Sequence, residues 1–379
     1  MVVKRPYKDT GKEISLLGLG CMRLPKVSPD KDDIDYEKAQ EIVDYAYAHG
    51  VNYFDTAHMY HGGKSEEFVG HALKKYDRSS FYLATKMPIW MADTPEDVDR
   101  IFNLQLQRLQ TDYVDFYLCH SLGEGNFKKL RDFKAYEYLA KKKEEGFIRH
   151  LGFSFHDTPD VLEKIADAYP WDFGQIQFNY LDWEFLDSRR MYKILEERGI
   201  PSIIMEPVRG GTLADLCESS NALFKAARPD DSVASWAIRY AATPPNILTV
   251  LSGMSNMEQI MDNVKTLSDF QPVTPEDRQI IDQALTIYKQ QETVPCTGCR
   301  YCVEYCPVGV NIPKMFDLYN HFAIGKNKWD YREDYQAVPD SERMTNCISC
   351  GNCVEYCPQS IEIPERLSFI REKTAAILK

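Results

Sequence analysis

Two runs of cysteine carry the most specific chemistry in this sequence of 379 residues. Each run has the spacing CxxCxxCxxxCP, and the second repeats the first at an offset of 51 residues. Thiolates three residues apart can wrap one side of an iron-sulfur cube, and a fourth cysteine before proline turns toward a neighbouring cube. We therefore predict two [4Fe-4S] clusters, held by Cys296, Cys299, Cys302 and Cys306 from the first run and Cys347, Cys350, Cys353 and Cys357 from the second.

The two runs belong to an internal duplication that extends beyond the cysteines. The letters CVEYCP occur at 302–307 and again at 353–358. The fourth cysteine of each run is expected to serve the other cluster, so Cys357 joins the first three cysteines and Cys306 joins the later three. This arrangement resembles the two-cluster bacterial ferredoxins, in a mainly helical form because 313–322 reads as a helix. Structural zinc is the alternative, since it also favours paired cysteines but takes four ligands in one tetrahedral array.

A second group of reactive side chains is spread over three apolar segments in the first third of the chain. Asp55 ends one segment and Tyr60 follows in the next loop, whereas Lys86 and His120 end the two segments after it. If the segments are neighbouring parallel strands, their carboxyl ends meet at one edge and bring these side chains together. A phenol with a pKa of about 10 is a poor acid at neutral pH. We expect the Lys86 ammonium to lower that pKa, and Asp55 to keep the lysine charged and oriented.

Alternating strands and amphipathic helices must position these side chains. Eight βα units in about 250 residues indicate a (β/α)8 TIM barrel, an α/β fold. A doubly wound sheet is the competing architecture, but Gly18 and Gly20 are followed by Arg23 rather than a third glycine and lead into no helix. The predicted strands end near Gly20, Asp55, Lys86, His120, Ser154, Asn179, Met205 and Ser252, and helices are predicted at 36–49, 65–75, 95–109, 133–145 and 187–198.

The acid, phenol, ammonium and imidazole at successive strand ends resemble the catalytic tetrad of the aldo-keto reductase superfamily. The resemblance covers residues 1–290, and it implies NAD(P)H-linked reduction of an aldehyde or ketone, or oxidation of an alcohol in reverse. It implies that Tyr60 is the general acid or base and that His120 donates a hydrogen bond to the carbonyl. The alternative is that Asp55, Tyr60, Lys86 and His120 are ordinary polar residues at strand ends.

The same resemblance implies a binding site for the nicotinamide nucleotide. Ser154 and Gln177 match positions that hold the carboxamide, although Phe155 stands where the family often has asparagine. The loop 205–211 matches the segment beside the pyrophosphate, and the helix start after 252 suits a phosphate. Residues 253–263 contain no lysine or arginine for a 2'-phosphate, and Lys265 and Arg209 are the candidate substitutes. NADPH and NADH are therefore both open, with a slight preference for NADH. The other predicted contacts are Glu206, Arg209, Gly210, Gly253, Ser255, Gln259 and Asn263.

Composition disfavours several other classes of partner. With 45 basic and 57 acidic residues, the net charge of -12 disfavours nucleic acid and anionic membrane surfaces. No apolar run is long enough to cross a bilayer and the N-terminus lacks a secretory core, so a cytoplasmic protein is expected. In that reducing compartment cysteines are metal ligands or core residues more readily than disulfides, and we assign Cys21, Cys119 and Cys217 to the core.

The sequence therefore predicts two domains, a barrel over 1–290 and a domain with two clusters over 291–379. Hydride carries two electrons together, whereas each cluster passes one, so coupling would need an intermediary such as a flavin, for which no motif is present. The leading hypothesis is a reductase of small carbonyl or alcohol substrates whose clusters exchange electrons with a partner protein or a second cofactor. The alternatives are the same reductase with structural clusters, and a nucleotide-binding redox sensor with little turnover.

Overall fold

The computed structural model describes residues 1–8, 10–28, 33–325 and 327–378. Two compact units are present, the first formed by Met1–Pro207 and Ser235–Val273 and the second by Val208–Ala234 and Thr274–Lys379. This division assigns 208–234 and 274–290 to the second unit, while the predicted domain boundary after residue 290 stays a prediction. Among the described residues, no helix is long and apolar enough to cross a membrane.

The first unit is built on a closed barrel of eight parallel strands, which confirms the predicted fold class. Each barrel strand pairs with the next along the chain, and the last pairs with the first to close the barrel. An antiparallel hairpin of two strands precedes the barrel. The described strands are β1 (Lys4–Tyr7) and β2 (Lys12–Ser15) in the hairpin, and β3 (Leu17–Gly20), β4 (Tyr53–Asp55), β5 (Tyr82–Met87), β6 (Val114–Leu122), β7 (Ile148–Phe155), β8 (Gly174–Gln177), β9 (Ser202–Met205) and β10 (Ile247–Ser252) in the barrel.

Helices follow the barrel strands and cover the sheet. Because a parallel sheet is buried on both faces, its strands read as nearly continuous apolar runs, and most barrel residues are accordingly buried. The helices that lie wholly or mainly in this unit are α1 (Tyr36–Ala48), α2 (Ser65–Leu73), α3 (Pro95–Leu109), α4 (Glu124–Asp132), α5 (Ala135–Glu144), α6 (Pro159–Ala168), α7 (Asp182–Phe185) and α8 (Ser188–Glu197), then, after α9 (Glu218–Ala227) of the second unit, α10 (Val233–Ala242) and α11 (Met257–Ser268).

The second unit has its own apolar core, built from helices and from the loops that carry the cysteines. Val310, Phe316 and Ile370 are fully buried in this core. Ser220 in α9 donates a hydrogen bond of 2.8 Å to the carbonyl of Ala284, which attaches α9 to the helix that starts after Thr274. Besides α9, the described helices are α12 (Pro275–Tyr288), α13 (Ile312–Gly325), α14 (Lys328–Ala337), α15 (Asn352–Glu355) and α16 (Ile363–Leu378).

The internal duplication is visible in the packing of the second unit. Tyr305 and Tyr356 occupy equivalent positions in the two copies of CVEYCP. Their rings stack in parallel, with centroids 3.4 Å apart and planes inclined by 2°. The two copies therefore contact each other through the same residue of each repeat.

Two helices, one in each unit, begin with the same four residues, Thr-Pro-Glu-Asp. At the start of α3 the backbone N–H of Thr94 donates to the Asp97 carboxylate at 2.9 Å. At the start of α12 the Thr274 N–H donates to Asp277, and the Asp277 N–H donates back to the Thr274 hydroxyl at 3.1 Å. Proline at the first helical position suits this geometry, because its missing N–H would have no partner there. These capping boxes explain why both helices start where they do.

Candidate functional site

Lys86 lies at the centre of the polar cluster in the barrel. It is completely buried, and its ammonium donates to Asp55 Oδ1 at 2.6 Å, to the Thr56 carbonyl at 2.8 Å and to the Tyr60 hydroxyl at 3.3 Å. An ammonium has three N–H donors, so these contacts use its full capacity. The pairing of β4 with β5 produces the arrangement, because Asp55 lies opposite Ala84 and Lys86 shares the face of Ala84.

His120 completes the cluster from β6, and the four predicted side chains are thus brought together. The ring of Tyr60 meets the ring of His120 edge-on, with centroids 6.2 Å apart. The ring of Trp90 also packs against the ring of His120, with centroids 4.9 Å apart. Among the described residues, neither His120 Nδ1 nor Asp55 Oδ2 has a hydrogen-bond partner, although both atoms are buried. A buried imidazole nitrogen in this state is suited to a polar atom of a ligand.

Burial dominates the protonation of this cluster. It raises the pKa of Tyr60 well above its ordinary value, and the Asp55 carboxylate adds to the rise. The expected lowering of this pKa by Lys86 stays a prediction, because burial is the largest influence on the phenol in this structure. Burial also raises the pKa of Asp55, against the effect of Lys86. Burial and then Lys86 lower the pKa of His120 far below its ordinary value, so the imidazole is neutral.

The two residues predicted to hold the carboxamide lie at the carboxyl ends of neighbouring barrel strands. Ser154 in β7 is buried, and its hydroxyl accepts a hydrogen bond of 2.7 Å from the Ser121 N–H. Gln177 ends β8, and its amide donates to the Asp182 carboxylate at 2.7 Å. All strands of a parallel barrel end at one face, so both residues share the catalytic face with Asp55. Their role in binding a nucleotide stays a prediction.

The predicted phosphate segment after β10 is a helix start that caps itself. The Ser255 N–H donates to the Gln259 side chain at 2.7 Å, and the Gln259 N–H donates to Asn256 at 2.9 Å. Asn263, one turn further along α11, donates to the Ser252 hydroxyl at 3.1 Å. A side chain at Gly253 would meet Arg23 at 3.2 Å. The structure groups these residues at one strand end, and their nucleotide contacts stay predictions.

The predicted contacts after β9 fall in different units. Glu206 belongs to the first unit and accepts a hydrogen bond of 2.9 Å from Arg23. Arg209 and Gly210 belong to the second unit. Arg209 is completely buried there, and it donates to the Pro295 carbonyl at 2.9 Å and to the Gln359 side chain at 3.0 Å. Sequence reasoning assigned Arg209 to nucleotide binding and missed this contact with the cysteine-bearing segments.

The cysteines fit the predicted crossing between repeats. One cavity is lined by Cys296, Cys299, Cys302 and Cys357, the set assigned to the first cluster. Burial raises the pKa of the Cys353 thiol to about 11, and the sulfurs of Cys347, Cys306 and Cys350 add to the rise, so the second set is also close together.

A zinc ion and an iron-sulfur cube need different arrangements of the cysteine sulfurs. Among the described residues, no three His, Cys, Asp or Glu side chains lie close enough to hold one metal ion. A tetrahedral zinc site would draw its sulfurs to within about 4 Å of one another. A cube carries its ligands on four separate corners and holds them further apart. The CxxCxxCxxxCP pattern of both runs is what favours cubes over zinc.

The two cysteine sets differ in exposure. Thr297, which follows the first cysteine of the first run, is 4% exposed, whereas its counterpart Ile348 is 62% exposed. Cys350 is exposed, whereas its counterpart Cys299 is half-buried; Cys302 and its counterpart Cys353 are both buried. The second set therefore includes one exposed cysteine, whereas no cysteine of the first set is exposed. Cys21, Cys119 and Cys217 lie outside both sets and are buried.

Known protein families match both parts of the chain. The Aldo/keto reductase family profile matches residues 16–286, and a 4Fe-4S dicluster domain profile matches residues 295–362. The chain is 27% identical over 292 residues to the uncharacterized oxidoreductase YqkF of Bacillus subtilis, covering 69% of this chain and 90% of that protein. It is 26% identical over 288 residues to L-galactose dehydrogenase of Arabidopsis thaliana, covering 70% and 88%. The aldo-keto reductase AKR11C1 from Bacillus halodurans, in its holo form, aligns with a TM-score of 0.63 at 27% identity, covering 75% of this chain and 96% of that one.

Proposed function

Because the chain belongs to the aldo/keto reductase family and carries a 4Fe-4S dicluster domain, we propose that it reduces an aldehyde or ketone with NAD(P)H, or oxidises the alcohol in reverse. The observation that carries the proposal is the buried ammonium of Lys86, which joins Asp55 and Tyr60 through direct hydrogen bonds. Such a cluster can deliver a proton to a substrate oxygen. The family acts on small carbonyl compounds, and that is the substrate class we assign.

Each residue of the cluster has a distinct role in this proposal. When bound, the nicotinamide supplies a hydride to the carbonyl carbon. Tyr60 is protonated because burial raises its pKa, and it gives this proton to the carbonyl oxygen, so the product is an alcohol. Lys86 donates to the phenolate that is left and stabilises it until solvent returns a proton. Neutral His120 uses a ring N–H to direct the carbonyl oxygen toward Tyr60.

The choice between the two nucleotides follows from charge. A 2'-phosphate is best held by lysine or arginine, and residues 253–263 have neither. We therefore favour NADH, with Ser154 and Gln177 toward the carboxamide and the α11 start toward a phosphate. The ratio of kcat/KM for NADH to that for NADPH measures this preference, and a ratio below one would contradict it.

We further propose that the eight cysteines hold two [4Fe-4S] clusters and that these exchange electrons with a partner protein or a second cofactor. The exposure of Cys350 and Ile348 supports an exchange at the second cluster, because electron transfer is helped by a cluster edge near the surface. A flavin would convert paired into single electrons, but no motif in the sequence marks a flavin site. The alternative of purely structural clusters would leave the reductase unchanged by cluster redox state.

The test is anaerobic purification followed by iron, sulfide, flavin and nicotinamide analysis of one sample, together with turnover of aldehydes and ketones. We expect about eight iron atoms per chain and oxidation of NADH or NADPH on addition of a carbonyl. Reduced viologen in place of the nucleotide separates the hypotheses. If reduced viologen drives carbonyl reduction, the hypothesis of purely structural clusters fails. If a nucleotide binds tightly without any turnover, the hypothesis of a redox sensor replaces that of a reductase.

A further inference from the structure

The first cysteine set has a neighbour that the duplication does not supply. Arg209 comes from a segment far from both cysteine runs in sequence, and its side chain is completely buried. Two of its hydrogen bonds span 86 and 150 residues of chain. The guanidinium is charged at any ordinary pH, so a permanent positive charge lies inside this part of the second unit.

The contacts of Arg209 tie together one segment from each repeat. Pro295, whose carbonyl accepts at 2.9 Å, directly precedes Cys296. Gln359, whose side chain accepts at 3.0 Å, lies two residues after Cys357. Cys296 and Cys357 are the first ligand and the crossing ligand of the first set, so one side chain holds both ends of that set.

Gly210 provides a second observation on the same segment. Its φ is +66°, and a Cβ at this position would lie 2.3 Å from the Thr297 carbonyl oxygen. No side chain fits that distance, so glycine lets the backbone of this segment lie against the residue after Cys296. The charge of Arg209 and the absence of a side chain at Gly210 thus both suit a position next to the first cysteine set.

The duplication supplies an internal comparison. The counterpart of Gln359 at the offset of 51 residues is Val308, whose side chain has no hydrogen-bond acceptor. The counterpart of Thr297 is Ile348, which is largely exposed. The repeat that surrounds the second set therefore does not reproduce the residues that meet Arg209 and Gly210.

We propose that Arg209 is a positioning residue for the first [4Fe-4S] cluster and that its charge raises the reduction potential of that cluster. The proposal rests on the proposed assignment of two clusters. A reduced cluster carries one more negative charge than an oxidised one, and a positive charge enclosed in a medium of low dielectric stabilises it. The first cluster therefore accepts an electron more readily than it would beside a neutral side chain.

Arg209→Gln, in the full chain loaded with iron and sulfide, tests the proposal. Midpoint potentials of both clusters are measured by redox titration with EPR detection, which needs no turnover. We expect one midpoint to fall by at least tenfold in the one-electron equilibrium constant, or about 59 mV, and the other to stay unchanged. Arg300→Gln is the matched control, since Arg300 lines the cavity of the first set but is exposed to solvent, and we expect a much smaller shift.

Two outcomes would overturn the proposal. One is full iron content in Arg209→Gln with both midpoints unchanged, and the other is an equal shift in Arg300→Gln. If Arg209→Gln loses half of its iron, Arg209→Lys decides, because it keeps the charge and loses the planar fork. A lysine variant with both clusters and the parent potential supports the charge effect, and one that also loses the cluster overturns it. Iron content below about eight per chain in the parent protein would instead contradict the two-cluster assignment itself.

Discussion

The barrel site and the cysteine sites differ in what holds their reactive groups. In the barrel, Lys86, Asp55 and Tyr60 are joined by direct hydrogen bonds and two of them lie on paired strands. In the second unit most of the eight cysteines lie on loops, where backbone N–H groups donate to Cys296 at 3.4 Å and to Cys306 at 3.3 Å. The barrel arranges its site by folding, whereas ligand sulfurs of this kind gain their final order from the cluster.

The largest predicted effect comes from removing one oxygen atom from the barrel site, and the cysteine sites should not be affected. Tyr60→Phe removes the proton donor, and general acid catalysis of this kind contributes about 10²- to 10⁴-fold. We expect kcat for carbonyl reduction to fall by that factor while iron content and nucleotide binding stay at parent values. Tyr82→Phe is the control, because Tyr82 is the first residue of β5 and lies at the other end of that strand from Lys86. This variant should keep full activity. Unchanged kcat in Tyr60→Phe would refute the assigned role.

The next prediction tests the crossing of ligands. Cys357→Ser should remove the first cluster, although Cys357 belongs to the second run, and about half of the iron should be lost. EPR of the reduced protein should then show one cluster instead of two interacting ones. Cys21→Ser, a buried cysteine outside both sets, should keep all of the iron. Retention of both clusters in Cys357→Ser would show that the ligands pair differently.

A smaller effect concerns pH, and it should be confined to the barrel. Burial lowers the pKa of His58, His150 and His156 to about 4. In the unfolded chain these groups take up protons near pH 6.5, so the unfolded state binds more protons between the two values. The free energy of unfolding therefore falls as pH drops from 6.5 toward 4, on the order of 1 kcal/mol for each histidine by pH 5.

His150→Gln measures one part of that pH effect. It removes one half-buried histidine whose pKa is lowered, so the fall in stability between pH 6.5 and 5 should become shallower by about one proton. Urea unfolding followed by tryptophan fluorescence reports on the barrel, because four of the five tryptophans belong to the first unit. Exposed His71→Gln is the control for the substitution itself. An unchanged slope in His150→Gln would contradict the burial effect.

The smallest predicted effect uses the two Thr-Pro-Glu-Asp helix starts. Loss of a threonine cap costs about 1 kcal/mol. Thr274→Ala should lower the stability of the second unit, detected as earlier bleaching of cluster absorbance in urea. Thr94→Ala should lower the stability of the barrel, detected by tryptophan fluorescence. If either variant shifted both signals equally, the two units would unfold as one, and the contrast between them would apply to chemistry alone.

Much of the barrel could be predicted because its strands and their ends differ sharply in polarity. Gly20, Asp55, Met205 and Ser252 are the last residues of their strands, as predicted. The helix predicted over 95–109 has those bounds, since Thr94 and the proline after it mark its start. Asn179 lies two residues beyond the end of β8, because buried Phe178 prolongs the apolar run without prolonging the ladder.

The remainder depends on contacts that a local pattern does not contain. The position of Arg209 is fixed by acceptors 86 and 150 residues away, and nothing near Arg209 in sequence indicates them. The raised pKa of Tyr60 depends on how completely the phenol is enclosed, which residue types alone do not reveal. The cysteine sets were predictable because their spacing is itself the signal, and a family resemblance supplied the roles in the barrel.

The stack of Tyr305 on Tyr356 bears on how this region could arise or be dismantled. Each tyrosine directly precedes the cysteine that, in the proposed pairing, serves the opposite cube. A gene cut between the repeats would leave three cysteines for one cube and a fourth cysteine without the cube that it serves. The tyrosine ring would also lose the ring on which it stacks. One repeat alone therefore could not hold a complete cluster in the proposed pairing, and we expect the two repeats to be gained or deleted only together.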